Sequence, residues 1–305
     1  MDIKSALAAL IDHISGAYAP NTLRAYRADM EEFIRYCTKH GLVALPANPS
    51  SVAGFLMDAA TTGIKSSTIR RKESSISAIH RLSYLTDPTK HPEVRIAIRK
   101  IQRKIGTQFG QAYPIDEVLL RRLLAACGND LRGLRNQVLL RLAYESLRRR
   151  SELVSLRLED LEPNPDGSAV ILLRRGKTDQ TGNGSWVALS KNTHRIIKLW
   201  ISAAELTEGP LLRSVHRGTI GPSLNPGQIN RVLKKLARDA GLHENIVNRI
   251  SGHSTRVGRA QDLLKVGASL PQMMHAGGWS KPDTVMRYVA RIRPTAAEPR
   301  TIAIR

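Results

Sequence analysis

The sequence is short of several features that would assign it a role at once. It has only two cysteines, Cys37 and Cys127, far apart and each inside a helical pattern. A disulfide scaffold is thereby excluded, and two buried free thiols of a reducing compartment are expected. No CxxC pair and no Cys/His cluster occurs, so the spacings that hold zinc are missing. Glu159, Asp160 and Glu162 lack metal-ligand spacing and read as solvated residues at a strand end. No apolar run approaches the roughly 18 residues needed to span a bilayer. The opening MDIKSALAALIDHIS has neither the apolar core nor the cleavage site of a signal peptide, so an intracellular location is expected. There is no internal repeat and no low-complexity tract.

Acidic residues are also scarce. Asp and Glu number 26 against 47 Lys and Arg, a formal charge of +21. The excess is spread along the chain: residues 1–105 carry 16 bases and 9 acids, and the remainder 31 and 17. This is not a basic tail on a neutral domain. A polyanion lying across both halves is the natural partner, with nucleic acid the first candidate and a membrane surface the competing one. At 305 residues and 42% hydrophobic content, the chain is long enough for two domains with real cores.

Residues 1–15 read as a short leading helix or arm. Pro20-Asn21-Thr22 opens a strong helix with Leu23, Tyr26, Met30, Phe33, Ile34 and Cys37 on its apolar face, ended by Gly41. A second helix starts at Asn48-Pro49, with Val52, Phe55 and Leu56 inward. A third runs from Ser66 to Leu85, with Ile69, Ile76 and Ile79 inward and Arg70-Arg71-Lys72 on its other face. A fourth spans His91 to Ile105, with Val94, Ile98, Ile101 and Ile105 in one stripe. Few acids balance the bases on helices three and four, which tilts their basic faces toward phosphate contact rather than plain solvent. GTQFGQAYP, residues 106–114, reads as a linker.

Beyond it, helices are expected over about 115–127 and 131–146. SLRRRSELVSLRLEDL follows as a helical turn and an extended segment. Ser168–Arg174 and Ser185–Leu189 are β-rich runs flanking the polar loop RGKTDQTGNG. Asn192–Ala204 and Pro226–Ala240 are amphipathic helices. The latter turns Ile229, Val232, Leu233 and Leu236 inward and leaves Gln228, Asn230, Arg231, Lys234 and Lys235 as candidates for its exposed face. Such a face suits a DNA major groove, and equally suits solvent.

The stretch SGHSTRVGRAQDLLKVGASLPQMMHAGGWSKPDTVMRYVAR holds the chemistry. His253 and Arg256 are one helical turn apart. Trp279 follows a Gly277-Gly278 break, and Tyr288 sits in a short helical run after it. An imidazole, a guanidinium, an indole N–H and a phenol can thus converge on one small anion, a set that suits a tyrosine attacking a phosphodiester. Without a metal, guanidinium groups must stabilise the charge on the non-bridging oxygens. The leaving oxygen needs a proton, for which a lysine serves, and the phenol must lose its own.

The order Arg…Lys…His-x-x-Arg…Trp…Tyr resembles the tyrosine recombinase (phage integrase) family, most closely its Cre-like branch. SGHSTRVG, AGGW and VMRYV carry the resemblance at this end. Glu152 in RRSEL marks Arg149 as the first family arginine, although many members have a glycine before that turn. Arg148 and Arg150 read as surface phosphate contacts. Lys177 in RRGKTD matches the hairpin lysine. PNTLRAY, with Arg24, and STIRRKESSISAIH, with Arg70 and Arg71, look like DNA-facing helices of the N-terminal domain.

The resemblance implies a mainly α fold with a small antiparallel β-sheet in the C-terminal domain, arranged as a two-domain DNA clamp. Its helical N-terminal domain would span 1–105, its linker 106–114 and its catalytic domain 115–305. Implied too are Arg149, Lys177, His253, Arg256, Trp279 and Tyr288 as catalytic residues, positioned with the help of Glu152. Gln228, Arg231, Lys234 and Lys235 would join Arg24, Arg70 and Arg71 in DNA binding. The expected partners are duplex DNA with inverted-repeat sites and three further copies of the chain, a homo-tetramer on two sites. The apolar tail within 292–305 would dock on a neighbouring subunit. No metal or cofactor is implied, because bond energy is kept in a 3′-phosphotyrosyl ester. The expected location is cytoplasmic and DNA-associated. A relaxing enzyme of type IB topoisomerase kind and a non-catalytic DNA-binding protein are the alternatives.

Overall fold

The computed structural model describes residues 3–106, 110–176 and 184–290. Lys177 and the tail within 292–305 lie outside the described residues. The chain forms two compact units, residues 1–110 and 111–305.

The first unit is helical: α1 (Ile3–His13), α2 (Pro20–Lys39), α3 (Pro49–Thr61), α4 (Ser66–Leu82) and α5 (Pro92–Ile105). Proline in the first turn of α2, α3 and α5 supplies a helical φ where no intrahelical N–H bond is lost. The apolar stripes of α2 to α5 meet in one core built from Met30, Phe33, Val52, Leu56, Ile69, Ile76, Val94 and Ile101. Burial of these side chains contributes about 1.5–3 kcal/mol each. Beside the core, the carboxylate of Asp29 is buried and accepts from Arg71 Nη1 at 2.6 Å and Ser75 Oγ at 2.7 Å. Lys72, also buried, pairs with Glu32.

His80 is fully buried in the same unit. Its Nε2 accepts from the Ala47 N–H at 3.0 Å, and its Nδ1 faces the Ile76 carbonyl at 2.8 Å. That pairing requires a neutral ring protonated on Nδ1. Desolvation holds its pKa below the ordinary histidine value. The unfolded chain therefore takes up a proton near pH 6.5 that the folded chain refuses. The stability His80 contributes is present at neutral pH and is lost as the pH falls below about 6.5 toward the lowered folded value. In urea unfolding, His80→Leu is expected to cost about 1–3 kcal/mol at pH 7.5 through the stranded Ala47 N–H. The gap to wild type narrows by pH 5; a constant gap would contradict a neutral, buried His80.

The second unit opens with α6 (Glu117–Ala125), α7 (Leu131–Glu145) and the short α8 (Arg150–Val154). β1 (Leu161–Pro163), β2 (Ala169–Leu173) and β3 (Ser185–Leu189) form an antiparallel sheet in that order. Ile171 lies opposite Val187 and Leu173 opposite Ser185. Alternate residues Ala169, Ile171 and Leu173 are buried, so one face of the sheet closes on the core. α9 (Lys191–Ala203) carries the fully buried Trp200, whose Nε1 donates to the Leu211 carbonyl at 2.9 Å.

A two-stranded hairpin, β4 (Val215–His216) and β5 (Thr219–Ile220), precedes α10 (Pro226–Asp239), α11 (Glu244–Arg249), α12 (Ser254–Lys265), α13 (Leu270–Gly277) and α14 (Pro282–Val289). The helices and the small sheet agree with the mainly α expectation; the hairpin and α11 are additional. No described helix is long and apolar enough to cross a membrane. One expectation fails at the strand end. Asp160 is buried and bonds Arg174 Nε at 2.9 Å, while Glu159 takes Arg157 Nε at 2.9 Å and the Gly209 N–H at 3.0 Å. Asp160 thus ties the sheet to its surroundings instead of standing in water, while Glu159 and Glu162 are exposed as expected.

α12 runs through the centre of this unit. Its Ser254 carbonyl accepts the Ile115 N–H at 2.9 Å. A Cβ on Gly258 would overlap the Ile115 carbonyl, so glycine permits the close approach that seats the helix.

Candidate active site

The site is assembled from three places in the chain. The first is the turn between α7 and α8. Leu147 has φ 52°, a left-handed conformation that costs a non-glycine residue about 1–2 kcal/mol. Its side chain is buried against Ala260, Met273, Trp279 and Val285, which holds it there. Arg149 follows, just ahead of α8. Glu152 accepts the Arg149 backbone N–H on Oε2 at 2.8 Å and Arg149 Nη1 on Oε1 at 2.9 Å. The Arg149 side chain is 23% exposed, whereas that of Glu152 is 5% exposed. The acid thus fixes the arginine from the protein side and leaves its outer edge open. Gly176 lies beside the same carboxylate, since a Cβ there would come within 3.7 Å of Glu152 Oε1. Gly176 immediately precedes Lys177.

The second place is the start of α12. His253 is the residue before the helix, and Arg256 lies within its first turn. Arg256 is completely buried. Its Nη1 donates to the Leu147 carbonyl, its Nη2 to the Gly277 carbonyl at 3.4 Å, and its Nε to Tyr288 Oη at 3.4 Å. The strained Leu147 turn therefore aims a carbonyl at Arg256. His253 is exposed as a residue, yet partial desolvation of its ring, reinforced by Arg256, Arg150 and Arg149, lowers its pKa. At neutral pH it is an uncharged imidazole able to accept a proton. The expectation of two residues on one helix face is thus modified. His253 sits at the rim, where backbone geometry leaves it facing water, and Arg256 points inward.

The third place spans α13 and α14. Gly278 ends α13 with φ 59°. A Cβ on Gly277 would come within 2.5 Å of the Trp279 ring, so this glycine lets the indole fold back over the helix end. Trp279 is 5% exposed, and its buried Nε1 has no hydrogen-bond partner among the described residues. Its ring centroid lies 5.1 Å from that of Tyr288, and Arg256 Cζ lies 5.2 Å from the Trp279 ring and 5.8 Å from the Tyr288 ring. Tyr288 is half-buried. Gln111 Nε2 donates to the Arg287 and Tyr288 carbonyls, both at 3.0 Å, and Gln261 Nε2 to the Tyr288 carbonyl at 3.3 Å. These two amides cap the end of the tyrosine helix. Tyr144, a second phenol of this unit, is buried and donates to Asp262 Oδ2 at 2.7 Å. Burial and that carboxylate raise its pKa, so it is no rival nucleophile.

Arg149, Glu152, His253, Arg256, Trp279 and Tyr288 are therefore gathered in one place. The DNA-binding candidates are distributed differently. Arg24, Arg231 and Lys235 are exposed, and Lys235 pairs with Asp239 at 2.8 Å. Lys234 Nζ reaches the Asn248 carbonyl at 3.3 Å, and Gln228 Oε1 accepts the Asn225 N–H at 3.2 Å at the start of α10. Arg71 is exposed but bound to Asp29. With the Gln102 amide oxygen turned toward it, Arg70 donates from Nε at 3.0 Å and Nη2 at 2.9 Å. Sequence reasoning missed Gln111 and Gln261. Asn230, expected on the exposed face of α10, instead accepts the Gly252 N–H on Oδ1 at 2.7 Å and so steadies the turn leading to His253. Arg148, expected on the surface, is 8% exposed.

Comparison with known proteins agrees with this arrangement. The model of the phage integrase family matches residues 115–293, and that of the phage integrase N-terminal SAM-like domain matches residues 9–85. An integrase/recombinase XerD homolog of Selenomonas ruminantium is 31% identical over 285 residues, covering 89% of this chain and 82% of that protein. Recombinase Cre of Escherichia phage P1 is 26% identical over 293 residues, covering 90% and 85%. Among solved structures, the Tn1549 transposon integrase in complex with transposon right-end DNA superposes with a TM-score of 0.67 at 14% identity, covering 96% of both chains. A lambda integrase dimer bound to a core site gives 0.64 at 13% identity, covering 98% of this chain and 81% of that one. The family models match parts of both units, and the chain belongs to the phage integrase family, as a site-specific recombinase of the tyrosine recombinase class.

Proposed function

We propose that this recombinase cuts and rejoins duplex DNA through a covalent bond between Tyr288 and a 3′-phosphate, as a homo-tetramer on two sites with inverted repeats. The observation that carries this reading is the contact of Arg256 Nε with Tyr288 Oη, 3.4 Å, inside a cluster that also holds Arg149, His253 and Trp279. A phenol placed on a buried guanidinium is placed where a phosphate oxygen would bind the same cation.

The Tyr288 oxygen attacks phosphorus, forming the Tyr–O–P bond as the P–O5′ bond breaks. Its proton passes to neutral His253. Lys177 gives a proton to the departing 5′-oxygen, which leaves as a hydroxyl. Arg149 and Arg256 hold the non-bridging oxygens, and the unpartnered Trp279 N–H donates a further hydrogen bond to them. Glu152 keeps Arg149 in register. The 5′-hydroxyl of the partner duplex then attacks the phosphotyrosyl ester, restores the phenol and yields a Holliday junction. The basic faces of both units, with Arg24, Arg70 and Arg71 on one and the α10 side chains on the other, contact the duplex. The chain tail within 292–305 joins neighbouring subunits.

The test uses duplexes that the protein itself enriches from a random pool, nicked so that the short 5′-hydroxyl fragment is lost after cleavage. Covalent protein–DNA adduct should accumulate, and peptide mapping should place the DNA on Tyr288. DNA on any other residue defeats the reading, and relaxation of supercoils with no recombinants would favour a topoisomerase. The pH dependence follows from His253. Because its pKa lies below the ordinary value, adduct formation should be flat from about pH 8 to 7 and fall only below about 6.5 as the imidazole charges. A fall beginning above pH 7 would exclude His253 as the proton acceptor.

A further inference from the structure

Arg148 is the least expected side chain near the site. It is 8% exposed, and its Nε is buried without a hydrogen-bond partner. Among the described residues its guanidinium makes no hydrogen bond and no ion pair. Its Nη1 lies against Gly278, where a Cβ would meet it at 2.5 Å, one residue before Trp279. Its backbone joins Leu147, whose carbonyl holds Arg256, to Arg149.

The charges around it neutralise it only in part: the Glu152 carboxylate attracts it, while Arg256 and Arg149 repel it. The near carboxylate is Glu152, whose two oxygens already accept from the Arg149 N–H and Nη1. A buried guanidinium with no hydrogen-bonded counter-charge is costly, because its lost hydration is not replaced. Removing such a charge in favour of an apolar side chain of similar length stabilises a protein. A side chain kept in this state in the DNA-free protein has its partner elsewhere. The unpartnered Trp279 N–H lies just past Gly278, so two orphaned donors flank one turn.

We propose that Arg148 is a phosphate-binding residue of the site, a third guanidinium that gains its counter-charge only when a DNA phosphodiester enters beside Trp279. This rests on the reading of the cluster as a phosphodiester site. Neighbouring Arg149 binds the same backbone from the side held by Glu152, and Arg148 from the Gly278 side. The site is thereby electrostatically incomplete without DNA.

Two measurements test this, and neither depends on cleavage. The first is the melting temperature of the DNA-free protein. Arg148→Leu should raise it, because an uncompensated buried charge is removed. The second is the salt dependence of binding to the self-enriched duplex in a Tyr288→Phe background. There Arg148→Leu should lower the slope of log affinity against log salt by about 0.9, the loss of one phosphate contact, while Arg148→Lys should keep it. A lower melting temperature in Arg148→Leu would mark Arg148 as structural and overturn the proposal. So would an unchanged salt slope. Failure of wild-type protein to form adduct at Tyr288 would count against the catalytic reading alone, since melting and salt slope report on Arg148 regardless.

Discussion

Tyr288→Phe is expected to bind its DNA almost as wild type does and to form no covalent adduct at all. The substitution keeps the ring that lies 5.1 Å from Trp279 and keeps its packing at the end of the chain's described part. It removes one oxygen, which among the described residues is hydrogen-bonded to Arg256 Nε at 3.4 Å. A hydrogen bond that long stabilises the fold by less than about 1 kcal/mol, so folding and binding survive. The chemistry does not, because the attacking oxygen is gone. Tyr144 is buried, donates to Asp262 and has a raised pKa. Residual adduct from the purified variant on a nicked substrate would mean that the nucleophile lies elsewhere.

Arg256→Lys should also slow adduct formation strongly while leaving the charge in place. The planar guanidinium makes three directed contacts at once, to the Leu147 carbonyl, the Gly277 carbonyl and Tyr288 Oη. An ammonium on a flexible stem cannot hold that fork and also face a phosphate. At least one buried carbonyl is then left without a donor, a loss of about 1–3 kcal/mol in stability. Adduct formation should fall by about 10²–10³-fold, the usual effect of removing one preorganised donor. Denaturation midpoints and single-turnover rates measure the two effects separately. A variant with wild-type rate would show that charge alone suffices at position 256.

Much of this site was legible in the sequence because its parts are local. His253 and Arg256 share one turn, Gly277 and Gly278 punctuate the chain before Trp279, and the proline-initiated α14 displays Tyr288. The arginine at 149 could be picked from three in a row only through its spacing to Glu152, to which it bonds at 2.9 Å. What could not be read depends on contacts between distant positions. Arg71 looks like a free basic residue until Asp29, 42 positions earlier, is seen to hold it. Asn230 belongs to the polar face of α10, yet its acceptor serves Gly252, 22 positions later. Arg148 reads as surface because arginine runs usually are, and only the packing of α13 encloses it. Asp160 was misread for the same reason, since its enclosure by Arg174 is set by strand pairing rather than by local composition. Leucine has no preference for left-handed backbone, so nothing in the text of the chain marks Leu147.

The side-chain amide of Gln111 holds the Arg287 and Tyr288 carbonyls near the end of α14, 176 and 177 positions downstream. Gln111 is also the first residue of the second unit. For fragment design this makes the domain boundary an unforgiving one. A catalytic piece begun at Gln111 or earlier retains the clamp on the end of α14. One begun two residues later, at the more inviting Tyr113-Pro114, would keep every residue of the chemistry and yet release the backbone on which the phenol is mounted.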